Sequence, residues 1–179
     1  LALDPAHDVM FWGQGHDLMR AGLDGGGAVV FLAGTRGEFP TSVALDPGAE
    51  LVFWTDNGTD TLNRMSYDGG GRTVLRSAGD PLANPRALSL DPDAGLLFWG
   101  EGADLLRAPL EVGEPTVVVA GEAGRAAVTG TCVAPATRQL YWTDNLTDAL
   151  SRAGYDGLGA VRLYQGTPAT NPQGVTLVR

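Results

Sequence analysis

Few side chains in this sequence are suited to acid–base or nucleophilic chemistry. Its 179 residues include two histidines, His7 and His16, and a single cysteine, Cys132. Histidine transfers protons near neutral pH, and a carboxylate such as Glu101 can also act as an acid or base. The sequence has no nucleophile elbow, phosphate-binding loop, histidine metal cluster or cysteine–histidine pair. His16 and Glu101 are therefore the candidates for catalysis, but a non-catalytic function is favoured.

Two pairs of aspartates have a spacing that invites comparison with metal ligands. Asp56 and Asp60 are separated by three residues, and Asp144 and Asp148 repeat this arrangement. Calcium loops supply a denser set of oxygen ligands than this spacing provides. We therefore predict no metal site and no cofactor. Asp56 and Asp144 remain candidates for ligand binding, with a structural hydrogen-bonding role as the alternative.

The composition excludes two classes of partner. The sequence has 21 acidic and 12 basic residues, which gives a net charge of −9, whereas nucleic acids and anionic membranes bind to basic surfaces. No apolar run approaches the roughly 20 residues that a membrane-spanning helix needs. We therefore expect a protein or small-molecule partner, and neither nucleic acid nor membrane.

Cysteine content and residue usage bear on the origin of the protein. A single cysteine cannot form an internal disulfide, which is compatible with a reducing compartment. The sequence lacks lysine and isoleucine while arginine, alanine, glycine and valine abound, a bias typical of a GC-rich bacterial genome. We expect a bacterial, cytoplasmic protein. Secretion is the alternative, because a chain that starts at Leu1 can have lost a leader.

The candidate residues are placed on a repeat. All four tryptophans occur in one kind of motif, at intervals of 42 to 45 residues. Self-similarity at this period indicates supersecondary units that bury their cores by stacking. The four motifs are Phe11-Trp12-Gly13-Gln14, Phe53-Trp54-Thr55-Asp56, Phe98-Trp99-Gly100-Glu101 and Tyr141-Trp142-Thr143-Asp144.

Each repeat has the pattern of a four-stranded antiparallel meander. Asp-Pro and Asp-Gly turns separate short strands, and runs such as Val9-Met10-Phe11-Trp12 are apolar on both faces. A sheet between two neighbouring sheets satisfies this pattern, which predicts an all-β propeller with four four-stranded blades per chain. We expect one domain, 1–179, with repeats at 1–42, 43–87, 88–130 and 131–174 and a partial fifth strand at 175–179.

These motifs resemble the YWTD repeats (class B repeats) of the low-density-lipoprotein receptor family. The resemblance covers essentially the whole chain and includes Tyr141-Trp142-Thr143-Asp144, the Leu-Asp-Pro strand ends, the Asp-Gly turns, Asn84-Pro85-Arg86-Ala87 and Asn171-Pro172-Gln173-Gly174. It implies a six-bladed propeller that binds proteins. The first and third repeats depart from the motif, because Gly-Gln and Gly-Glu replace Thr-Asp.

A longer period is superimposed on the first. Repeats one and three share Phe-Trp-Gly, whereas repeats two and four share Trp-Thr-Asp-Asn and a later Tyr-Asp-Gly. The chain therefore reads as two copies of a two-blade unit, near 1–87 and 88–174. An open arc of blades leaves apolar sheet faces uncovered. We predict a homodimer that completes a larger, eight-bladed ring, the alternative being that the sequence is part of a longer propeller.

Polar side chains are concentrated in the loops at one face of the predicted propeller. Aspartates that recur in every repeat, such as Asp17, Asp60 and Asp104, are predicted to be scaffold, because an asymmetric ligand does not need one group four times. We predict a non-catalytic binding module that presents this face to a protein or small molecule. A propeller enzyme of lyase, cyclase or hydrolase type, acting at the channel mouth, is the alternative. The predicted ligand-binding residues are Gln14, His16, Asp56, Arg86, Glu101, Asp144 and Gln173.

Overall fold

A computed structural model describes residues 1–77, 84–111, 114–121, 127–167 and 172–176. Within these ranges the chain forms sixteen strands in four antiparallel sheets, each of four strands paired in chain order. Sheet 1 contains β1 (Ala2–Asp4), β2 (Val9–Gln14), β3 (Asp17–Ala21) and β4 (Val29–Leu32). Sheet 2 contains β5 (Pro40–Asp46), β6 (Leu51–Asp56), β7 (Thr61–Ser66) and β8 (Thr73–Ser77).

The second half of the chain repeats this arrangement. Sheet 3 contains β9 (Pro85–Asp91), β10 (Leu96–Glu101), β11 (Asp104–Pro109) and β12 (Thr116–Val119). Sheet 4 contains β13 (Val128–Ala134), β14 (Gln139–Asp144), β15 (Ala149–Gly154) and β16 (Val161–Gln165), with a 3-10 turn at Pro135–Thr137 between its first two strands. The prediction of four four-stranded antiparallel sheets is confirmed.

The sheets share one register. The tryptophan of each second strand lies directly opposite a residue of the third strand, and the pairs are Trp12 with Met19, Trp54 with Asn63, Trp99 with Leu106 and Trp142 with Ser151. Directly opposed residues point to the same face of a sheet. Each third strand then pairs with its fourth strand through a β-bulge at this same position. The bulge is therefore a feature of the repeat.

The chain divides into two compact units, residues 1–85 and 86–179. In unit 1, sheets 1 and 2 pack face to face, and the core between them includes Phe11, Leu18, Trp54 and Met65. The core of unit 2 lies in the same way between sheets 3 and 4. Its members are Ala87, Phe98, Leu105, Val128, Leu140 and Tyr155, with Trp142 packed against them. Apolar strands covered by a neighbouring sheet are what the sequence pattern predicted.

Two expectations from the sequence are a fifth-repeat strand at 175–179 and the absence of a membrane-spanning helix. Val175 and Thr176 lie outside the strands, and 177–179 lie outside the described residues, so a strand at 175–179 stays a prediction. The described part of the chain has no helix with the length and apolarity needed to cross a bilayer.

Candidate functional site

The loop that connects sheets 1 and 2, residues 33–39, is the most elaborately anchored loop described in unit 1. The backbone amide of Gly34 donates to Oδ1 of Asp17 at 2.9 Å, which holds the start of the loop against β3. The amide of Glu38 donates to the carbonyl of Thr35 at 3.0 Å and closes a tight turn. These two bonds fix the path of the loop backbone at its start and at its turn.

The carboxylate of Glu38 holds the 33–39 loop in place through three hydrogen bonds. Glu38 is 8% exposed, and its Oε2 accepts hydrogen bonds from the backbone amide of Thr35 at 2.6 Å and from the Thr35 hydroxyl at 3.0 Å. Its Oε1 accepts a charge-assisted bond from Arg72 at 2.6 Å. The bond from the Thr35 amide lowers the pKa of Glu38; burial opposes this, Arg72 adds to it, and the net pKa is lowered. Glu38 therefore remains ionised and structural.

Asp56 fastens the other end of the loop. Its Oδ1 accepts hydrogen bonds from the backbone amides of Phe39, Gly58 and Thr59, at 2.9, 3.0 and 3.0 Å. The side chain thus caps the turn after β6 and holds the 33–39 loop against it. Asp56 is only 1% exposed, so these bonds are shielded from water.

Asp144 occupies the equivalent position in sheet 4. Its Oδ1 accepts from the backbone amides of Leu146 and Thr147, each at 2.9 Å, and the residue is 5% exposed. The aspartates of both Thr-Asp motifs therefore have the structural role that the sequence left open as an alternative. Direct contact of Asp56 and Asp144 with a ligand stays a prediction.

His16 lies beside the 33–39 loop. It is exposed in the turn between β2 and β3, and its Nδ1 donates to the backbone carbonyl of Glu38 at 2.7 Å. This bond leaves Nε2 as the acceptor nitrogen of the neutral ring. Gly34 approaches so closely that a Cβ at this position would overlap the His16 carbonyl. The structure therefore brings His16 and Asp56 to the same loop from its two sides.

Gln14 and Glu101 have a shared role within their own strands. The indole nitrogen of Trp12 donates to Oε1 of Gln14 at 3.2 Å, and that of Trp99 donates to Oε2 of Glu101 at 2.9 Å. A Gly-Gln or Gly-Glu ending thus supplies an acceptor for the tryptophan of the same motif. The sequence did not indicate this pairing, and ligand contact by either residue stays a prediction.

The remaining predicted site residues lie in unit 2. Arg86 is half-buried in β9, near the start of that strand, and Gln173 is exposed outside the strands. Both belong to the same unit as Glu101 and Asp144. Gln14, His16 and Asp56 belong to unit 1. The predicted set is therefore divided between the two units.

The recurring aspartates act as scaffold, as predicted. The Oδ1 atoms of Asp17, Asp60 and Asp104 accept hydrogen bonds from the backbone amides of Gly34, Asn84 and Gly121, at 2.9, 3.1 and 2.9 Å. Each acceptor lies at the first residue of a third strand or directly before it, and each donor lies beyond the end of the fourth strand. Asp60 is thus engaged with the backbone, and it does not form a ligand pair with Asp56.

Two large exposed side chains belong to the 33–39 loop. Phe39 is 50% exposed even though its backbone is held by Asp56, and Arg36 is exposed in the turn closed by Thr35 and Glu38. Phe39 was not among the residues predicted from the sequence. The signal available was an aromatic residue in a loop of glycine and polar residues, directly before Pro40.

Sequence reasoning also missed Arg72 and Asn63. The guanidinium carbon of Arg72 lies 5.5 Å from the centre of the Trp54 ring, so the arginine both stacks on this ring and pairs with Glu38. Asn63 is completely buried opposite Trp54. The sequence did contain a signal for Asn63, because the equivalent positions of repeats one and three are apolar, at Met19 and Leu106.

Among the described residues, no three His, Cys, Asp or Glu side chains are grouped to hold a metal.

Comparisons with known proteins establish the fold. No family profile and no curated protein matches this sequence. A chain of the crystal structure of a nidogen/laminin complex is 24% identical, with a TM-score of 0.87 over 99% of this chain and 67% of that chain. The structure of a protein from Agrobacterium tumefaciens described as TolB is 9% identical, with a TM-score of 0.71 over 90% and 63% of the respective chains. The sequence thus spans about two thirds of these chains. With its four four-stranded sheets, the fold is a β-propeller, as predicted.

Proposed function

We propose that this chain is a propeller of the YWTD type that binds a protein partner through the face carrying the 33–39 loop. The Trp-centred motifs support the family, and the similarity to a chain from a nidogen/laminin complex supports a role in protein assembly. Fold alone does not define a function. Binding is therefore inferred from the 33–39 loop.

The observation that carries the proposal is an exposed aromatic ring on an immobilised backbone. Phe39 is 50% exposed, while its amide is bonded to Asp56 and its carbonyl accepts from Asn57 at 2.9 Å. Exposed loops normally lose conformational entropy when they bind, and a loop that is already ordered loses less. Aromatic and arginine side chains are frequent energetic centres of protein interfaces. Phe39 and Arg36 together have this character.

The charge of the chain favours one kind of partner. The net charge of −9 attracts a partner whose own charge is neutral or positive. Around Phe39 the local charges are mixed, because Arg36 is exposed while Glu38 is buried and paired with Arg72. We therefore propose a partner that inserts an apolar side chain against Phe39 and places an acceptor or carboxylate near Arg36.

Two other predicted residues of unit 1 extend the proposed contact surface. His16 adjoins the loop through its bond to Glu38. Gln14 differs in type from Asp56 and Asp144 at the equivalent positions of repeats two and four, and such differences are what an asymmetric partner can recognise. We propose that both form secondary contacts, whereas Arg86, Glu101 and Gln173 of unit 2 stay predicted ligand contacts. A small-molecule ligand at the same face is the alternative.

Selection of peptides on the purified chain tests this proposal. A random peptide library displayed on phage is selected on the immobilised protein, and Kd values of the enriched peptides are measured by calorimetry. Phe39→Ala and Arg36→Ala are expected to weaken binding by about tenfold or more. Val29→Ala is the matched control, because Val29 is 53% exposed but lies in β4, outside the loop. Enriched peptides that bind the Phe39→Ala and wild-type chains equally would place the binding site elsewhere.

We further propose that two copies of the chain associate through their uncovered sheet faces. In unit 1 the Phe11 side of sheet 1 packs on the Trp54 side of sheet 2, and in unit 2 Phe98 and Trp142 belong to one core. Side chains alternate along a strand, so the Trp12 side of sheet 1 and the Tyr141 side of sheet 4 lie opposite to these cores. These sides are apolar and partly exposed.

The exposed members of the two sides are large. Leu3 and Val30, on the Trp12 side of sheet 1, are 54% and 49% exposed. Tyr164 and Val161, on the Tyr141 side of sheet 4, are 60% and 44% exposed. Within each unit, the phenylalanine side of one sheet packs on the tryptophan side of the other, as Phe11 and Trp54 do in unit 1. Tyr141 stands at the phenylalanine position of sheet 4. A second copy supplies this combination, and such apolar patches mark association sites on soluble proteins.

A further inference from the structure

Two buried oxygen atoms in sheet 2 lack hydrogen-bond partners among the described residues. They are Oδ2 of Asp56 and Oδ1 of Asn63. Asp56 is 1% exposed and Asn63 is fully buried. Both atoms are acceptors, and buried acceptors without a donor are destabilising and rare in folded proteins. A pair of them in one sheet calls for a positively charged or donating group.

The strand register places both atoms on one side of sheet 2. Asp56 lies directly opposite Thr61, and Trp54 lies directly opposite Asn63. Residues two apart on a strand share a face, so all four side chains belong to the side that packs on sheet 1. The amide nitrogen of Asn63 donates to the Thr61 hydroxyl oxygen at 2.8 Å, which turns Oδ1 of Asn63 away from this bond. The Thr61 hydroxyl is also hydrogen-bonded to the Thr59 hydroxyl at 2.8 Å.

The chemistry of this set is that of hard oxygen ligands. It comprises one carboxylate oxygen, one amide oxygen and one hydroxyl oxygen, from Asp56, Asn63 and Thr61. Such oxygens, with water or backbone carbonyls completing the shell, are the ligands of hard cations. The formal charge of the set is −1, which suits a cation of low charge. The nearby Arg72 is neutralised by Glu38 at 2.6 Å.

The repeat shows that Asn63 is not needed for the fold of a sheet. The residues opposite the tryptophans of sheets 1 and 3 are Met19 and Leu106, and that of sheet 4 is Ser151. Similarly, Ala149 stands opposite Asp144 where Thr61 stands opposite Asp56. Sheet 4 therefore has the aspartate without the other two oxygens. The complete set is specific to sheet 2.

We propose that Asp56, Thr61 and Asn63 form a binding site for a hard cation, Na⁺ or Ca²⁺, between sheets 1 and 2 of unit 1. The cation satisfies the two unpartnered oxygens and compensates the buried charge of Asp56. It also stabilises the turn after β6, to which the 33–39 loop is bonded through Phe39. This site differs from the Asp-x-x-x-Asp pairs considered from the sequence, because Asp60 bonds to the backbone of Asn84.

Thermal unfolding in defined salts tests the site and separates the two ions. The purified chain is unfolded in choline chloride, in NaCl and in choline chloride with CaCl₂, all at one ionic strength after treatment with chelator. The effective ion is expected to raise Tm by about 5–10 °C at a hundred times its Kd. A Tm that is the same in all three salts overturns the proposal and leaves a buried water or a reversed Asn63 amide as the donor.

Two variants keep the test independent of loss of folding. Asp56→Asn removes the charge but keeps an oxygen that can accept hydrogen bonds from the backbone amides of Phe39, Gly58 and Thr59, so the chain is expected to fold and to lose the salt-specific rise in Tm. Asn63→Met introduces the residue of the equivalent position in sheet 1 and is expected to give the same loss. Ser151→Ala in sheet 4 is the matched control and is expected to retain the wild-type response. A response that persists in Asp56→Asn and Asn63→Met overturns the assignment of the site.

Terbium luminescence provides a direct measurement for the Ca²⁺ arm. Trp54 lies opposite Asn63 and is 1% exposed, so a Tb³⁺ ion at the site is expected to be sensitised by excitation of this indole. The signal is expected to saturate at one ion per chain, to be displaced by CaCl₂ and to be absent from Asn63→Met. A sensitised signal of equal strength in Asn63→Met would locate the ion elsewhere. If Na⁺ alone raises Tm, the site is assigned to Na⁺.

Discussion

The hydroxyl of Tyr67 donates a hydrogen bond to Oδ2 of Asp4 at 3.2 Å and thereby joins sheet 2 to sheet 1. Oδ2 also accepts from Nδ1 of His7 at 2.7 Å, and Arg20 donates to the backbone carbonyl of Tyr67 at 3.0 Å. Unit 2 repeats the arrangement, with Tyr155 donating to Asp91 at 2.8 Å. The tyrosine of one repeat and the Leu-Asp-Pro aspartate of the preceding repeat therefore form the bond that defines each two-sheet unit.

Removal of the Tyr67 hydroxyl is expected to destabilise unit 1 without disrupting its core. Tyr67→Phe keeps the ring, whose centre lies 5.0 Å from that of Phe11, but leaves the buried Asp4 with one donor fewer. Loss of a partner for a buried acceptor costs about 1–3 kcal/mol. Urea denaturation followed by tryptophan fluorescence measures this change. Thr116→Val is the control, because it removes a hydroxyl at an exposed position of β12, and its effect is expected to stay within about 0.5 kcal/mol. Equal effects of the two variants would contradict the role given to the Tyr67 bond.

Acid is expected to destabilise the chain through Asp4 and Glu38. Burial raises the pKa of Asp4, but hydrogen bonds from His7, Ala6 and Tyr67 outweigh burial, so the pKa is lowered. The Thr35 amide likewise lowers the pKa of Glu38. A group with a lowered folded pKa stabilises the protein above its unfolded pKa, and this stability is lost as pH falls through the folded value.

Stability contributed by these groups is therefore constant near neutrality and falls below about pH 4, the range of unfolded carboxyl groups. Urea midpoints measured from neutral pH to about pH 2 test this dependence. Glu38→Gln is expected to lower stability at neutral pH and to make the acid decrease shallower. Glu114→Gln, at an exposed position outside the strands, is expected to follow the wild-type curve. An unchanged acid slope in Glu38→Gln would show that Glu38 is not responsible.

Gly34 is expected to tolerate no side chain. A Cβ at this position would overlap the backbone carbonyl of His16, so Gly34→Ala must displace the 33–39 loop or the turn after β2. We expect a loss of roughly 1–3 kcal/mol in stability, the usual cost of overpacking a site that cannot relax freely. Gly48→Ala is the control, since a Cβ there has only an ordinary contact with the Asp46 side chain at 3.5 Å. Urea denaturation compares the variants, and equal stabilities would contradict the close approach.

Association through the uncovered sheet faces is expected to depend on Trp12. The side chain is half-buried, whereas Trp54, at the equivalent position in sheet 2, is 1% exposed. Light scattering of the chain at micromolar concentration is expected to give about twice its mass of 18.6 kDa. Trp12→Glu is expected to give the monomer mass, because a charge in an apolar interface is strongly unfavourable. Val29→Glu is the control on an exposed strand. A wild-type monomer with cooperative unfolding would exclude the two-chain assembly.

The local pattern of the sequence determined the secondary structure and the way in which sheets pair. Turn residues and runs that are apolar on both faces depend on near neighbours, so the four sheets followed from the repeat. Alternation of motifs also indicated the two-sheet units, because the tyrosine occurs only in repeats two and four, where Tyr67 and Tyr155 reach back to Asp4 and Asp91. No local pattern in the sequence indicated that contact.

The character of the candidate site was decided only by the tertiary structure. Glu38 meets Arg72, which is far from it in sequence, and the 33–39 loop is held by Asp17 and Asp56 from two different sheets. Burial of Asn63 depends on the packing of sheet 1 against sheet 2. Such contacts combine strand register, bulge position and loop path, which no local pattern encodes. The repeat therefore predicted the scaffold, whereas the folded loops decided which buried polar atoms have hydrogen-bond partners and which do not.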